Sequence, residues 1–477
     1  MGLIAYFEHL HSRTDPRILA LFRILFGLLM CYEMSYYLDI DLVEMGITGP
    51  KVLFKYEGFS WVEPLGTGAM NAILGGLLVA SLFIAAGLLY RAAIVYFLLG
   101  YTYIFLLDKG YYNNHFYLFV LLSFLLSFVP ANRTWSLDRL LLKRWVPDRG
   151  VPYWTWIMFR LQVCIVYFYG GIAKLNGDWL VHQQPMRLAL EAFAEGSALE
   201  GLLTSTPVVA FFTYGGLLFD LTIGPLLWLK RTRKYALPFV LLFNITNHWI
   251  FDDIGVFPFF MIAATLVFFD PEEFAGLFGR GQAKRKREQR EEAPKGPGTD
   301  RRLVHTGLAL YFTFQLLFPL RWLLLPGDPD WTTIAQRFSW RMKVSARDPV
   351  RINFYVRVPG SQATEPVTMG ALINNHQQQL LAYDPRATVQ FAKWIQQDYA
   401  RQGRPGLEVL SAIIISYNGR PYRWWFNPGT DLASVEPDIR DPAAWVPPFE
   451  PGPEHTLSER MLLEIEKRKK KAGKRKG

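Results

Sequence analysis

Hydrophobic positions run in near-continuous blocks along most of the chain, and polar positions gather in the breaks between them. An α-helix needs roughly 17–25 apolar residues to cross a bilayer. The pattern predicts nine spans, over residues 17–38, 69–89, 91–107, 115–130, 154–173, 208–229, 235–251, 255–269 and 304–324. The third, seventh and eighth are short and carry polar residues near their ends. After residue 325 the pattern changes. Arg351 to Val358 alternates as a strand does. Ala387 to Gln402 reads as an amphipathic helix, and Leu407 to Phe426 as two strands joined at Asn418-Gly419, a hairpin signal. Prolines from Pro442 to Pro453 end this region, and a charged helix and tail follow. The expected fold class is a polytopic α-helical membrane protein of about nine spans, followed by a small extracytoplasmic α+β domain. The expected boundaries are 1–325 for the membrane part, 326–450 for the α+β domain and 451–477 for the basic tail. No internal repeat is visible.

Charge adds a direction. The net charge of +10 is mostly the tail, where eight basic residues lie between Lys467 and Lys476. Such a tail reads as a solvated segment that touches anionic lipid, and no nucleic-acid partner is expected. The loops alternate in charge. One set (131–153, 230–234, 277–302) holds eighteen basic residues and the opposite set (39–68, 108–114, 174–207, 252–254) holds five. By the positive-inside rule the first set and the N-terminus are cytoplasmic. The loops carrying Lys109, Asn113, Asn114 and Lys174 then face the other side, and the ninth span delivers the α+β domain there. A full-length span follows the first sixteen residues, so no cleavable signal peptide is expected.

Several chemistries find no pattern. Cys31 and Cys164 both lie in apolar runs, and no metal-ligand spacing, P-loop or dinucleotide fingerprint is present. No metal is expected. Three clusters remain on the expected outer side: Asn113-Asn114-His115, Lys174 behind Gly170-Gly171, and Phe338 to Lys343. Lys174 has two readings. It is a snorkelling anchor at the interface, or a desolvated amine able to act as a general base. The glycine pair favours close approach of a helix or ligand, and Asp178 would oppose the base by stabilising the ammonium. His115 is an interfacial histidine on a capped helix, or with Asn114 a donor to an anion in a water-poor pocket. Arg23 and Arg160, inside spans, read as structural. Asp252-Asp253 is a solvated turn or a substrate contact.

Other residues carry a resemblance. Tyr101 to Lys109, Asn113-Asn114-His115, Tyr117-Leu118, Ala131-Asn132 and Trp135 to Asp138 are among them. Val166-Tyr167-Phe168, Lys174-Leu175, Asp178-Trp179, Gly255 to Pro258, Trp331 to Met342 and Phe426-Asn427-Pro428 continue it. Together they closely resemble the vitamin K-dependent γ-carboxylase family, of the horizontally transferred transmembrane domain class. The resemblance implies O₂-dependent epoxidation of a reduced quinone, of menaquinol or phylloquinol type, coupled to carboxylation of glutamate with CO₂. It implies that Lys174 is the catalytic base, that His115 is catalytic, and that Asn114, Trp340 and Met342 contact the quinone. The implied partners are membrane lipid, the quinone and a glutamate-containing peptide or protein. Where animal members carry Leu-Tyr-Gly-Tyr before Ser-Trp, this chain has Ala335-Gln336-Arg337-Phe338. That segment bears on glutamate handling there. Quinol oxidation without carboxylation, and a non-enzymatic scaffold, therefore stay open beside the coupled reaction. The basic loops and compact length look bacterial, so the expected location is a bacterial cytoplasmic membrane.

Overall fold

The structure is a computed structural model and describes residues 9–146, 150–251, 254–271, 274, 300–450 and 452–473. Asp252-Asp253, most of the basic loop before residue 300 and the last residues of the tail lie outside that range. Each apolar stretch forms a helix. These are α1 Arg17–Asp39, α2 Thr67–Ala86, α3 Tyr90–Leu107, α4 Asn114–Phe128, α5 Trp154–Ala173, α6 Thr206–Trp228, α7 Lys230–Ile250, α8 Phe257–Ala264 and α9 Arg301–Leu317. A 3₁₀ turn extends α8 through Phe268, and another extends α9 through Leu324.

Six of the described helices are long and apolar enough to cross a membrane: α1, α2, α3, α5, α6 and α9 with its extension. The count of about nine full spans is not confirmed. At 15 residues α4 is short, and α8 is only eight before its 3₁₀ turn. Helix α7 begins with Lys230, Arg231, Arg233 and Lys234, which dilute its apolar length.

Buried arginines tie the bundle together. Within α1, Arg23 donates to the carbonyls of Ala131, Ala85 and Trp135 at 3.2, 2.7 and 2.6 Å. Within α5, Arg160 donates to Val267 O at 2.7 Å and lies 3.3 Å from the centroid of the Trp156 ring. Both cations are thus consumed by carbonyls at helix ends, as buried polar groups require, and their structural reading fits.

The C-terminal region has one four-stranded antiparallel sheet, ordered β2-β1-β3-β4. Its strands are β1 Arg347–Arg357, β2 Thr364–Pro366, β3 Glu408–Tyr417 and β4 Arg423–Trp424. Two helices, α10 Asn375–Tyr383 and α11 Pro385–Arg401, pack beside it. The hairpin turns at Asn418 and Gly419, both with positive φ, because Asn and Gly tolerate the left-handed region. A last helix, α12, spans Glu459–Gly473. The core of this region holds Phe354, Phe391, Ile413 and Trp425, and also Val52 and Phe54 from the α1–α2 connection. The sheet region is therefore anchored on one end of the bundle, where the connections carrying Lys109, Lys174 and Asp178 also gather.

Candidate active site

Lys174 caps the C-terminus of α5, one turn past Gly170 and Gly171. Side chains on a helix lean toward its N-terminus, so the lysine folds back along its own last turn. Its Nζ donates to Gly170 O at 3.2 Å and to Asp220 Oδ2 on α6 at 2.5 Å. The glycines make room for this. A Cβ on Gly171 would stand 2.6 Å from Leu221 Cδ2 and 3.1 Å from Leu221 N. A Cβ on Gly170 would meet Met342 Cε at 3.1 Å and Asp220 Oδ2 at 3.4 Å. Lys174 is 7% exposed and Asp220 4%, so the pair is buried. The Trp179 ring lies 5.2 Å from Nζ and is fixed by its indole N–H, which donates to Thr213 O at 3.0 Å.

His115 opens α4. Its buried ring stacks on Phe257 with centroids 5.6 Å apart and meets Phe116 edge-on at 4.3 Å. Beside it, Asn114 donates through Nδ2 to Arg341 O at 3.4 Å and accepts from the Tyr112 hydroxyl at 3.1 Å. Lys174, Asp220, Asn114, His115 and Met342 all line one cavity of about 900 Å³. Trp340 does not line it. Its ring is fully buried, 5.1 Å from that of Tyr117. Among the described residues no cluster of three or more His, Cys, Asp or Glu is placed to hold a metal ion.

Two family models cover most of the chain. Residues 11–272 match the HTTM domain, and residues 300–451 match the lumenal domain of vitamin K-dependent gamma-carboxylase. The chain belongs to the vitamin K-dependent γ-carboxylase family. No solved structure matches it.

Membership in the γ-carboxylase family implies that vitamin K is involved, and the residues present fit such a ligand. Cavities for small molecules are typically about 300–1,000 Å³, largely apolar, with a few convergent polar groups. Here Val166, Phe219, Phe243 and Met261 supply apolar wall, and the Lys174–Asp220 pair, Asn114 and His115 supply the polar end.

The segment over this cavity is unusual. Thr333, Ala335, Phe338, Trp340 and Lys343 all have positive φ, between 53° and 63°. A non-glycine residue in that region costs roughly 1–2 kcal/mol, so other contacts must hold the segment. Arg321 donates to Ser339 Oγ at 2.9 Å, and the Phe338 N–H to the Tyr112 hydroxyl at 2.6 Å. Arg341 grips Asp330 with bonds of 2.7 and 2.5 Å.

A second charged group lines the cavity beside the sheet region. Asp384 accepts from Arg337 at 2.8 Å and from the backbone N–H of Arg386 at 2.9 Å, with Lys109 Nζ at 3.7 Å. Burial works to raise the Asp384 carboxyl, but Lys109, Arg337 and Arg386 outweigh it and hold it well below the usual range. Burial lowers the Lys109 ammonium despite Asp384 and Glu57.

Asp178, expected to bear on Lys174, is committed elsewhere. Its carboxylate accepts from Arg420 at 2.6 and 3.0 Å and from Asn418 at 2.6 Å. The acid that reaches Lys174 is Asp220, which the sequence reading passed over. The available signal was a lone carboxylate inside an otherwise apolar span, which is rare unless it is paired or functional.

Proposed function

We propose that this carboxylase-family membrane protein couples O₂-dependent epoxidation of a reduced vitamin K-type quinone to carboxylation of glutamate. The observation that carries the reading is the shared cavity of Lys174, Asp220, Asn114, His115 and Met342. The quinone supplies the redox chemistry: its oxidation by O₂ yields the epoxide and a base strong enough to take a γ-proton, after which CO₂ is captured. Lys174 is the base that takes the quinol proton. Asp220 Oδ2, 2.5 Å from its Nζ, is placed to receive the proton that the lysine takes up. His115 and Asn114 hold the oxygen that becomes anionic, where excluded water makes such donors count most. Met342 lines the ring site. Trp340 acts from behind the wall, by packing on Tyr117.

Lys109, Arg337, Arg341 and Lys343 join Lys174 on the cavity walls, where Arg337 pairs with Asp384, Arg341 with Asp330 and Lys174 with Asp220. Quinol epoxidation without carboxylation is the second reading. It rests on the segment Ala335 to Phe338, where Arg337 is already engaged by Asp384. In orientation, the N-terminus is cytoplasmic and the sheet region lies outside, in a bacterial cytoplasmic membrane.

The test is Lys174→Ala in membranes given reduced vitamin K and O₂. Epoxide formation should be lost, and unchanged turnover would remove Lys174 as the base. Labelled CO₂ then separates the readings: epoxide without label in a glutamyl peptide leaves quinol oxidation alone. No turnover in the wild type would favour a scaffold.

A further inference from the structure

Tyr112 joins Asn114 to the strained segment over the cavity, and the local backbone puts it there. It ends the 3₁₀ turn Lys109–Tyr111 with φ −60° and ψ 128°, and Asn113 is extended before α4 begins. Side chains two residues apart on extended backbone point the same way, so Tyr112 and Asn114 share one side. Tyr112, Asn114 and Arg341 all line the cavity. Packing sets the Tyr112 ring, which meets Phe338 edge-on at 5.2 Å and Phe105 at 5.9 Å between centroids.

Three hydrogen bonds then run in series. The Phe338 N–H donates to the Tyr112 hydroxyl at 2.6 Å, the hydroxyl donates to Asn114 Oδ1 at 3.1 Å, and Asn114 Nδ2 donates to Arg341 O at 3.4 Å. Both ends are backbone groups of one segment, and each has a single polarity. An N–H only donates and a carbonyl only accepts. With its oxygen taking the Phe338 N–H, the Tyr112 hydroxyl gives its own proton to Asn114. Burial pushes the Tyr112 phenol well above its usual value, so that proton stays in place. The reverse orientation of the Asn114 amide would set its carbonyl against Arg341 O and strand the Tyr112 proton, which is costly for buried polar groups. The amide nitrogen carries two hydrogens. One goes to Arg341 O, and the other is left for the cavity.

We infer that Tyr112 is a positioning residue: its hydroxyl fixes the Asn114 amide so that an N–H, and not the carbonyl, faces a ring oxygen that becomes anionic. Both outer links of the series sit on the segment from Thr333 to Lys343, so the donor is set only while that segment is seated. This rests on the quinone reading above, and the experiment keeps the two apart. The full-length protein in nanodiscs is titrated with two probes, followed by tryptophan fluorescence. One is 2-hydroxy-1,4-naphthoquinone, an anion at neutral pH. The other is the neutral 2-methyl-1,4-naphthoquinone.

Tyr112→Phe keeps the ring contacts with Phe105 and Phe338 and removes only the hydroxyl. It should weaken the anion roughly tenfold, the scale of one hydrogen bond to a charged group, and the neutral ring by less than about twofold. In the Asn114→Ala background the same substitution should change neither affinity. If neither probe binds the wild type, the quinone reading fails and Tyr112 has nothing to position. If the anion weakens in Asn114→Ala but not in Tyr112→Phe, the role of Tyr112 is wrong and the quinone reading stands. Equal weakening of both probes by Tyr112→Phe, or an equal effect with and without Asn114, would mean that the phenol only holds the segment in place, and would also overturn the role.

Discussion

Asp220 is the residue that most changes the view of Lys174. A buried lysine with a carboxylate at 2.5 Å is a proton-sharing unit, and its behaviour depends on both groups. Asp220→Asn keeps the size and removes the proton acceptor. Epoxide formation should fall by about 10²–10⁴, the usual range for removing one member of an acid–base pair. The pH dependence of the residual rate should move as well, and Asp220→Glu should recover part of the activity. A merely structural Asp220 would lower the rate without moving the pH profile, and that result would refute the shared-proton role. The lysine was legible in the sequence because a cation behind Gly170-Gly171 at a span end stands out. Its partner was not. Sequence adjacency pointed to Asp178, but side chains lean back along a helix, so Lys174 points toward Gly170 and α6. Asp178 lies past the turn capped by Asn176, whose Oδ1 accepts from Trp179 N at 2.9 Å, and it faces the sheet region.

At the scale of elements, the pairing of α5 with α6 sets the distance from Lys174 to Asp220. At Gly171 the two helices approach closely, since an added Cβ would stand 3.1 Å from Leu221 N. Gly171→Val should therefore force the helices apart. Overpacking of this kind costs about 1–3 kcal/mol, and epoxide formation should fall further than that loss of stability alone explains. Gly307→Ala on α9 is the control, because nothing lies within 4 Å of its added Cβ. Gly307→Ala should be neutral or stabilising by up to about 1 kcal/mol, read as a shift in thermal midpoint in the same detergent. A Gly171→Val protein with wild-type activity would show that the helix spacing does not govern the site. The elements themselves were largely readable. Apolar blocks located all nine helices, and strand alternation with Asn418-Gly419 located the hairpin. What the pattern did not settle was which helices are long enough to span. Length and charge at the ends decide that, and α4, α7 and α8 fall short by different routes. The left-handed run from Thr333 to Lys343 was also hidden, because none of its five positive-φ residues is a glycine.

For the whole molecule, docking of the sheet region on the bundle depends on carboxylates that two charge networks hold ionised. Burial opposes the charge on Asp178, but Arg420 and Asn418 bring its carboxyl below the usual range. Asp384 lies lower still, held by Lys109, Arg337 and Arg386 against its burial. A carboxyl lowered by folding contributes stability that is present above its unfolded value, about 3.9 for Asp. That stability is lost as pH falls through the lower folded value. Docking should therefore hold at pH 5–7 and weaken below about pH 4. Asp108, which accepts from Gln377 at 2.6 Å, runs the other way. Burial pushes its carboxyl up to about 6. It therefore favours the docked state below the unfolded value, and that contribution shrinks as pH rises toward about 6. The expected curve is a steep loss below about pH 4 and a shallow decline between about 4 and 6, the second removed by Asp108→Asn. Hydrogen exchange of the sheet residues 347–357 and 408–417 across pH 3–7 would read both limbs. Asp384→Asn is the sharper variant, since it leaves Lys109 and Arg337 without their shared buried anion. Breaking a buried pair in this way costs about 3–5 kcal/mol. Asp384→Asn should release the sheet region to exchange at neutral pH while the bundle helices α1 and α2 stay protected. Protection of the sheet equal to the wild type at pH 7 would mean that apolar packing around Val52 and Phe54 holds the two parts together without the charges.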